Sequence, residues 1–226
     1  MDRPGPLRTA FHEELEQIRL QVELMGVRVD HNLERMRDVL HTGDAAVADV
    51  ALEADDDIDA MHLSLLERCY ELLGREAPVA SDLRFVVSVV RILSEFERVG
   101  DLALRVVKLA PSIEEMAQTG EPWDVLLTLV DTAVEQYRTA LRAWSAQDLE
   151  LASQLADDPP SLLAFHERLW RVDLAGQDPR DTVRLAMEMF VVGQAADRIA
   201  DHAAIIGARL RYLLTGEPAH LAAEVR

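Results

Sequence analysis

Phe11, Leu15, Ile18, Val22, Met25, Val29, Leu33, Met36 and Leu40 recur every three or four positions along one uninterrupted stretch of chain. That period places them on one face of an α-helix of about eight turns. Such a helix owes most of its stability to burying its stripe against neighbours. The feature therefore demands a bundle of long helices. The sequence supplies few places to turn: nine prolines and ten glycines in 226 residues, with strand-like runs of Val, Ile, Tyr and Thr nearly absent. An all-α fold is the expectation.

The turn signals divide the chain. "HTGD" (41–44) ends the first helix, which is predicted from about Leu7 to His41, and Asp44 is placed to cap the second. The second helix reaches Leu73 and stops at Gly74, with Pro78 beyond it. Ser81 is the expected cap of a third, from Asp82 to about Leu109, which Pro111 ends. "PSIEEMAQTGEP" (111–122) reads as a linker, and then the plan repeats. A fourth helix is predicted from Trp123 to about Ala146, and "SAQD" (145–148) stands where "HTGD" stood. A fifth segment runs from Asp148 to about Leu174, interrupted by Pro159 and Pro160. Asp178 as N-cap and Pro179 as first helical residue open a sixth, which continues to Leu214 and closes at "TGEP".

The third and sixth helices match at an offset of 100 residues, where "FERVGDLA" (96–103) lies over "ADRIADHA" (196–203). Duplication of a three-helix unit follows. The expected architecture is two tandem three-helix bundle repeats, six long helices in one elongated body. The repeats occupy 8–110 and 123–217, with the linker at 111–122 and a C-terminal tail at 218–226.

The repeated segment carries an oddity. Asp197 and Asp201 are four apart, as are Glu97 and Asp101. Like charges one helical turn apart repel by a few tenths of a kcal/mol. Leu185, Met189, Val192, Ala196, Ile199, Ala203, Ile206 and Leu210 form the buried stripe of the last helix, and its two acids fall roughly opposite Ile199. A solvated face is the bland explanation of such a pair. The surroundings argue otherwise: Phe190, Gly193, Ala200, Ala204 and Ala208 are small or apolar, and Val90, Gly100 and Leu104 flank the earlier pair. Small residues beside two acids let another helix or an ion approach closely. The second helix adds "ADDDID" (54–59), in which Asp55 and Asp59 are again four apart. Four carboxylates from two helices make an all-oxygen donor set suited to hard cations or iron. His202 reads as a supporting partner or a surface residue sooner than as a ligand. Met187 and Met189 read as core packing.

Several function classes drop out. A formal net charge of −18 opposes binding to nucleic acid or anionic lipid. Cys69 is the only cysteine, so neither an intrachain disulfide nor a cysteine zinc knuckle can form. Asp2, Arg3, Pro4 and Pro6 stand where a secretory signal needs apolar residues, and no run of about 18 apolar residues occurs. A cytoplasmic protein without membrane insertion is expected. Glycine-rich phosphate loops, H-E-x-x-H and a Ser/His/Asp order are all missing, so no catalytic nucleophile is indicated.

"REAPVASDLRFVVSVVRILSEFERVGDLALRV" (75–106) is similar to the PhoU signature, in which a Pro-x-Ala-x-Asp-Leu-Arg entry precedes an acid-Arg-Ile-Gly-Asp core. "DPRDTVRLAMEMFVVGQAADRIADHAAIIGARLRYLLTGE" (178–217) resembles its second copy. The resemblance, over about residues 8–217, implies a metal-binding negative regulator of phosphate uptake and phosphate-starvation signalling without enzymatic turnover. It implies a homodimer at the cytoplasmic face of the membrane, with a Pst-type transporter ATPase and a PhoR-type sensor kinase as partners. Metal ions, iron or zinc first and manganese or magnesium next, would be held by Asp55, Asp59, Glu97 and Asp101 in one site. Asp157, Asp197 and Asp201 would form the other. There "DDPPS" (157–161) puts Ser161 where the pattern has an acid, and position 197 carries Asp where the pattern has Glu. One good cluster and one defective one are expected. The competing readings are a metal-free helical adaptor and a ferritin-like dinuclear enzyme, which needs two Glu-x-x-His motifs where this chain offers Asp59-x-x-His62.

Overall fold

The computed structural model describes residues 6–76, 78, 80–157 and 179–224, and all its regular structure is helical. Helix α1 spans Pro6–Thr42, α2 Ala45–Glu76, α3 Ala80–Val107, α4 Ile113–Ala117, α5 Glu121–Ala146, α6 Leu149–Asp157 and α7 Pro179–Thr215. Short 3₁₀ turns occupy Ala110–Ser112 and Pro218–Glu224.

The two matched turns are built alike. Gly43 (φ +66°) and Gln147 (φ +52°) each take the left-handed conformation that ends a helix. The next residue caps the following helix. Asp44 Oδ1 accepts from the Ala46 N–H at 2.8 Å, and Asp148 Oδ1 accepts from Glu150 and Leu151 N–H at 2.9 and 3.0 Å. These satisfy amides that a helix start leaves without partners.

Several boundaries differ from those predicted. Helix α2 runs past Gly74 to Glu76, because a glycine in open space weakens a helix without ending it. Ser81 is not the cap of α3: the helix begins at Ala80, and the Ser81 hydroxyl meets Asp82 Oδ1 at 3.4 Å. Helix α3 ends at Val107, short of Leu109. The predicted linker contains α4, whose Ile113 and Met116 are buried against the core. The predicted tail contains the last 3₁₀ turn, which packs on α7 and places His220 Nδ1 2.9 Å from Thr215 Oγ1. The interruption at Pro159 and Pro160, the continuation to Leu174 and the cap at Asp178 lie outside the described residues.

Helices α1, α2 and α3 pack on one another, as do α5, α6 and α7, and α3 on α7 and α1 on α5 join the two groups. Both groups contribute to one continuous apolar core. This is the packing that two three-helix repeats in one body would give. At the α1–α3–α5 joint, Phe96 meets Tyr137 edge to face at 5.8 Å, and the buried Tyr137 hydroxyl donates to Gly26 O at 3.0 Å. The α1–α5 seam is laced by Arg138 to Asp30 and Glu34 and by Arg37 to Asp131, with Arg37 also paired to Glu34 of its own helix. Arg84 of α3 donates to Leu213 O at 3.0 Å and so satisfies a carbonyl at the end of α7.

Candidate functional site

Asp55, Asp59 and His62 share one face of α2, since steps of four and three residues return to the same side of a helix. Glu97 and Asp101 do the same on α3, which packs against α2. Gly100 lets the two faces close. A methyl group at Gly100 would stand 3.4 Å from Asp55 Oδ1, so the carboxylate rests against the α3 backbone.

The charges feel one another strongly. Burial, then the carboxylates of Asp59, Asp101, Asp56 and Glu97, push the Asp55 carboxyl up to about 6. Burial and Asp101 raise Glu97 as well; Asp59 adds to this, while His62 and Arg98 pull the other way. No arginine or lysine among the described residues lies within ion-pair distance of Asp55, Asp59, Glu97 or Asp101. Two acids close by in the sequence differ: Asp57 pairs with Arg28 at 3.5 Å, and Glu95 with Arg91 and Arg98 at 3.2 Å each. The structure thus gathers all four acids predicted for the first site into one region of unneutralised charge.

The donor set suits a cation: carboxylate oxygens in number, partly withdrawn from water, with no arginine or lysine among the described residues at ion-pair distance. Among the described residues no three His, Cys, Asp or Glu side chains already surround one point as an ion's ligands do. Holding an ion requires these side chains to rotate inward. Cys69 offers no alternative, since it is buried and its thiol is pushed up to about 11.

The repulsion has a consequence for stability. A carboxyl raised to about 6 in the folded chain and near 3.9 unfolded binds more protons when folded, so stability falls as pH rises between those values. The expected result for metal-free protein is a loss of stability from about pH 4 to a plateau above about pH 6. Urea titrations at several pH values check it, and Asp55→Asn should flatten that part of the profile.

The second predicted set is only partly brought together. Asp197 is half-buried and Asp201 exposed, the same environments that Glu97 and Asp101 have 100 residues earlier. Ala200, Ala204 and Ala208 are buried, and α6 crosses α7 at Gly207, so the small residues do admit a neighbouring helix. Asp157, at the end of α6, accepts from Arg211 Nη1 at 2.6 Å and remains largely exposed. Ser161, Pro159 and Pro160 lie outside the described residues.

A residue that the motifs did not single out makes a buried polar contact between the two groups of helices. Glu95 is fully buried where α3 meets α7, with Oε2 2.5 Å from His202 Nδ1. His202, expected to be a supporting partner or a surface residue, is a partner, though of Glu95. One signal was available: at an offset of 100, Glu95 matches Ala195 and His202 matches Leu102, so both depart from the repeat toward polarity at core positions.

Fold and site define the class: an all-helical protein with converging, unpaired carboxylates on the face of two packed helices. The family model of the PhoU domain matches residues 22–110 of this chain. The likeness extends further. The phosphate-specific transport system accessory protein PhoU homolog of Pseudomonas putida is 27% identical over 208 residues, covering 91% of this chain and 81% of that protein. The PhoU accessory protein of Edwardsiella tarda is 28% identical over 210 residues, covering 92% and 85%. The crystal structure of PhoU from Pseudomonas aeruginosa superposes with a TM-score of 0.83 at 27% identity, over 92% of this chain and all of that one. These relatives are named as accessory proteins, and no name states an enzymatic activity. No helix among the described residues is long and apolar enough to cross a membrane.

Proposed function

We propose that this chain is an accessory regulator of a phosphate transport system, and that Asp55, Asp59, Glu97 and Asp101 hold a metal ion. The observation that carries the metal reading is the convergence of those four unpaired carboxylates, with Asp55 raised to about 6. The regulatory role rests on the likeness to PhoU accessory proteins over more than nine-tenths of the chain. The bound ion, iron or zinc ahead of manganese or magnesium, would supply positive charge that offsets the repulsion and ties α2 to α3. Asp197 and Asp201, with Asp157, are proposed as a weaker second site.

In this reading the protein represses phosphate uptake and phosphate-starvation signalling. It does so as a homodimer at the cytoplasmic face of the membrane, against the ATPase of a Pst-type transporter and a PhoR-type sensor kinase. Its strong negative charge supports docking on protein partners rather than lipid headgroups. A metal-free adaptor is the second reading, favoured by the absence, among the described residues, of side chains already closed around a point.

Metal analysis of protein purified without chelators separates the two. The wild type should carry iron or zinc, and Glu97→Gln with Asp101→Asn should weaken uptake by roughly a hundredfold or more, since second-sphere changes alone cost 10–100-fold. A wild type that stays empty through titration with iron, zinc, manganese and magnesium overturns the metal reading. A deletion strain with unaltered phosphate uptake and phosphatase expression overturns the regulatory one.

A further inference from the structure

We propose that a second copy of this chain docks antiparallel along the exposed ridge of α1, with Leu20 of each subunit against Leu24 of the partner subunit. This rests on the homodimer of the proposed function and names its contact. Leu20, Leu24 and Val27 lie opposite the face that buries Val22, Met25 and Val29, and are 57%, 48% and 39% exposed. Neighbouring helices are tied to the flanks of α1 instead: Arg68 of α2 reaches Gln21, and Arg138 of α5 reaches Asp30.

The internal repeat supplies a control. With "HTGD" laid over "SAQD", Val22, Met25 and Val29 fall on Leu126, Leu129 and Ala133, and all are buried. In the same register Leu20, Leu24, Val27 and His31 fall on Asp124, Thr128, Asp131 and Glu135, an ordinary solvated face of α5. The ridge is apolar in α1 alone of the two. It also has the period of a helix-pairing seam. Glu13, Gln17, Leu20, Leu24, Val27 and His31 follow in alternating steps of four and three, the 3.5-residue repeat through which two helices pack side by side. Turned antiparallel about its middle, the seam fits itself. Leu20 then opposes the partner's Leu24, Gln17 opposes the partner's Val27, and the Glu13 carboxylate opposes the partner's His31. A parallel pair would set acid on acid and imidazole on imidazole, and lose that complementarity. Two copies of net charge −18 repel at long range, so the dimer should tighten as salt screens the repulsion.

Sedimentation of the full chain over a concentration series, in moderate salt, measures the association. Leu20→Asp with Leu24→Asp should weaken it at least about thirtyfold, as loss of an interface hot spot does. Both side chains face water in the single subunit, so this variant should keep the wild-type circular dichroism spectrum. Glu13→Lys should also weaken the dimer, and adding His31→Glu should restore it. A chain carrying both Glu13→Cys and His31→Cys should be joined into dimers by a short bifunctional maleimide, with the buried Cys69 left untouched. Neither single cysteine variant should be. Joining of a single variant overturns the antiparallel register. A dimer unaltered by the Leu20 and Leu24 changes overturns the ridge as its contact and leaves the homodimer standing. A wild type that stays monomeric overturns both.

Discussion

Replacing Glu95 with Ala is expected to lower the unfolding free energy by about 2–4 kcal/mol, a large effect for a polar side chain. The carboxylate is fully buried and faces three partners: His202 from α7, and Arg91 and Arg98 from its own helix. Truncation leaves His202 Nδ1 facing a void, because the His202 side chain is only 12% exposed. The two arginines are a third to a half exposed and turn to water, which keeps the loss below that of a wholly buried pair. Glu95→Gln keeps the volume and removes the charge, so it should cost less than Glu95→Ala. The measurement is the urea midpoint, with the slope unchanged. In a chain of this size the alanine variant should melt roughly 4–16 °C lower. A shift within about 0.5 kcal/mol of wild type, the range of ordinary surface changes, would mean that α3 and α7 are held by apolar packing alone.

The second large effect comes from two glycines, both inside helices, that should respond to alanine in opposite directions. A Cβ at Gly207 would stand 2.7 Å from Leu155 Cβ and 2.9 Å from Ala152 O. Neither atom can swing aside, so α6 must retreat from α7. Overpacking of this kind costs about 1–3 kcal/mol. Part of that is offset by the roughly 1 kcal/mol that alanine gains over glycine in a helix interior. Gly207→Ala should therefore be destabilising, and Gly207→Val, with more bulk and no better propensity, more so. Gly74 has nothing within 4 Å of its notional Cβ, so Gly74→Ala should raise stability by about 0.5–1 kcal/mol. Paired thermal melts decide it. If Gly207→Ala and Gly74→Ala shift stability alike, close approach at the α6–α7 crossing is not what position 207 is for.

The two glycines also mark where sequence reasoning stops. Both sit in helical patterns with no local sign of which one faces a neighbouring backbone. Gly74 read as a helix terminator, yet α2 continues past it, because local propensity is weak against thirty residues of continuous packing. Ile113 and Met116 went unread for a related reason. Five residues of helix are too few to show a period, and only contact with the core marks them as buried.

The acid pairs were legible because they obey a helical rule twice, at 97 and 101 and again at 197 and 201. Asp55 and Asp59 were matched to them by the same four-residue spacing, the family resemblance made the grouping specific, and the structure supplies the contact through Gly100. His62 was visible only as part of an incomplete ferritin-like motif. Glu95 had no motif at all.

Periodicity and turn chemistry by themselves determined that this chain is a bundle of long helices with an internal repeat, and which faces carry paired acids. A 3.6-residue period and a capping aspartate are local, and local features survive in a one-dimensional string. Which faces meet across the bundle was decided only by tertiary structure: Gly207 against Leu155, Glu95 against His202, Asp55 over Gly100. Those contacts join residues from about 45 to more than 100 positions apart, and no pattern along one helix encodes the face of another.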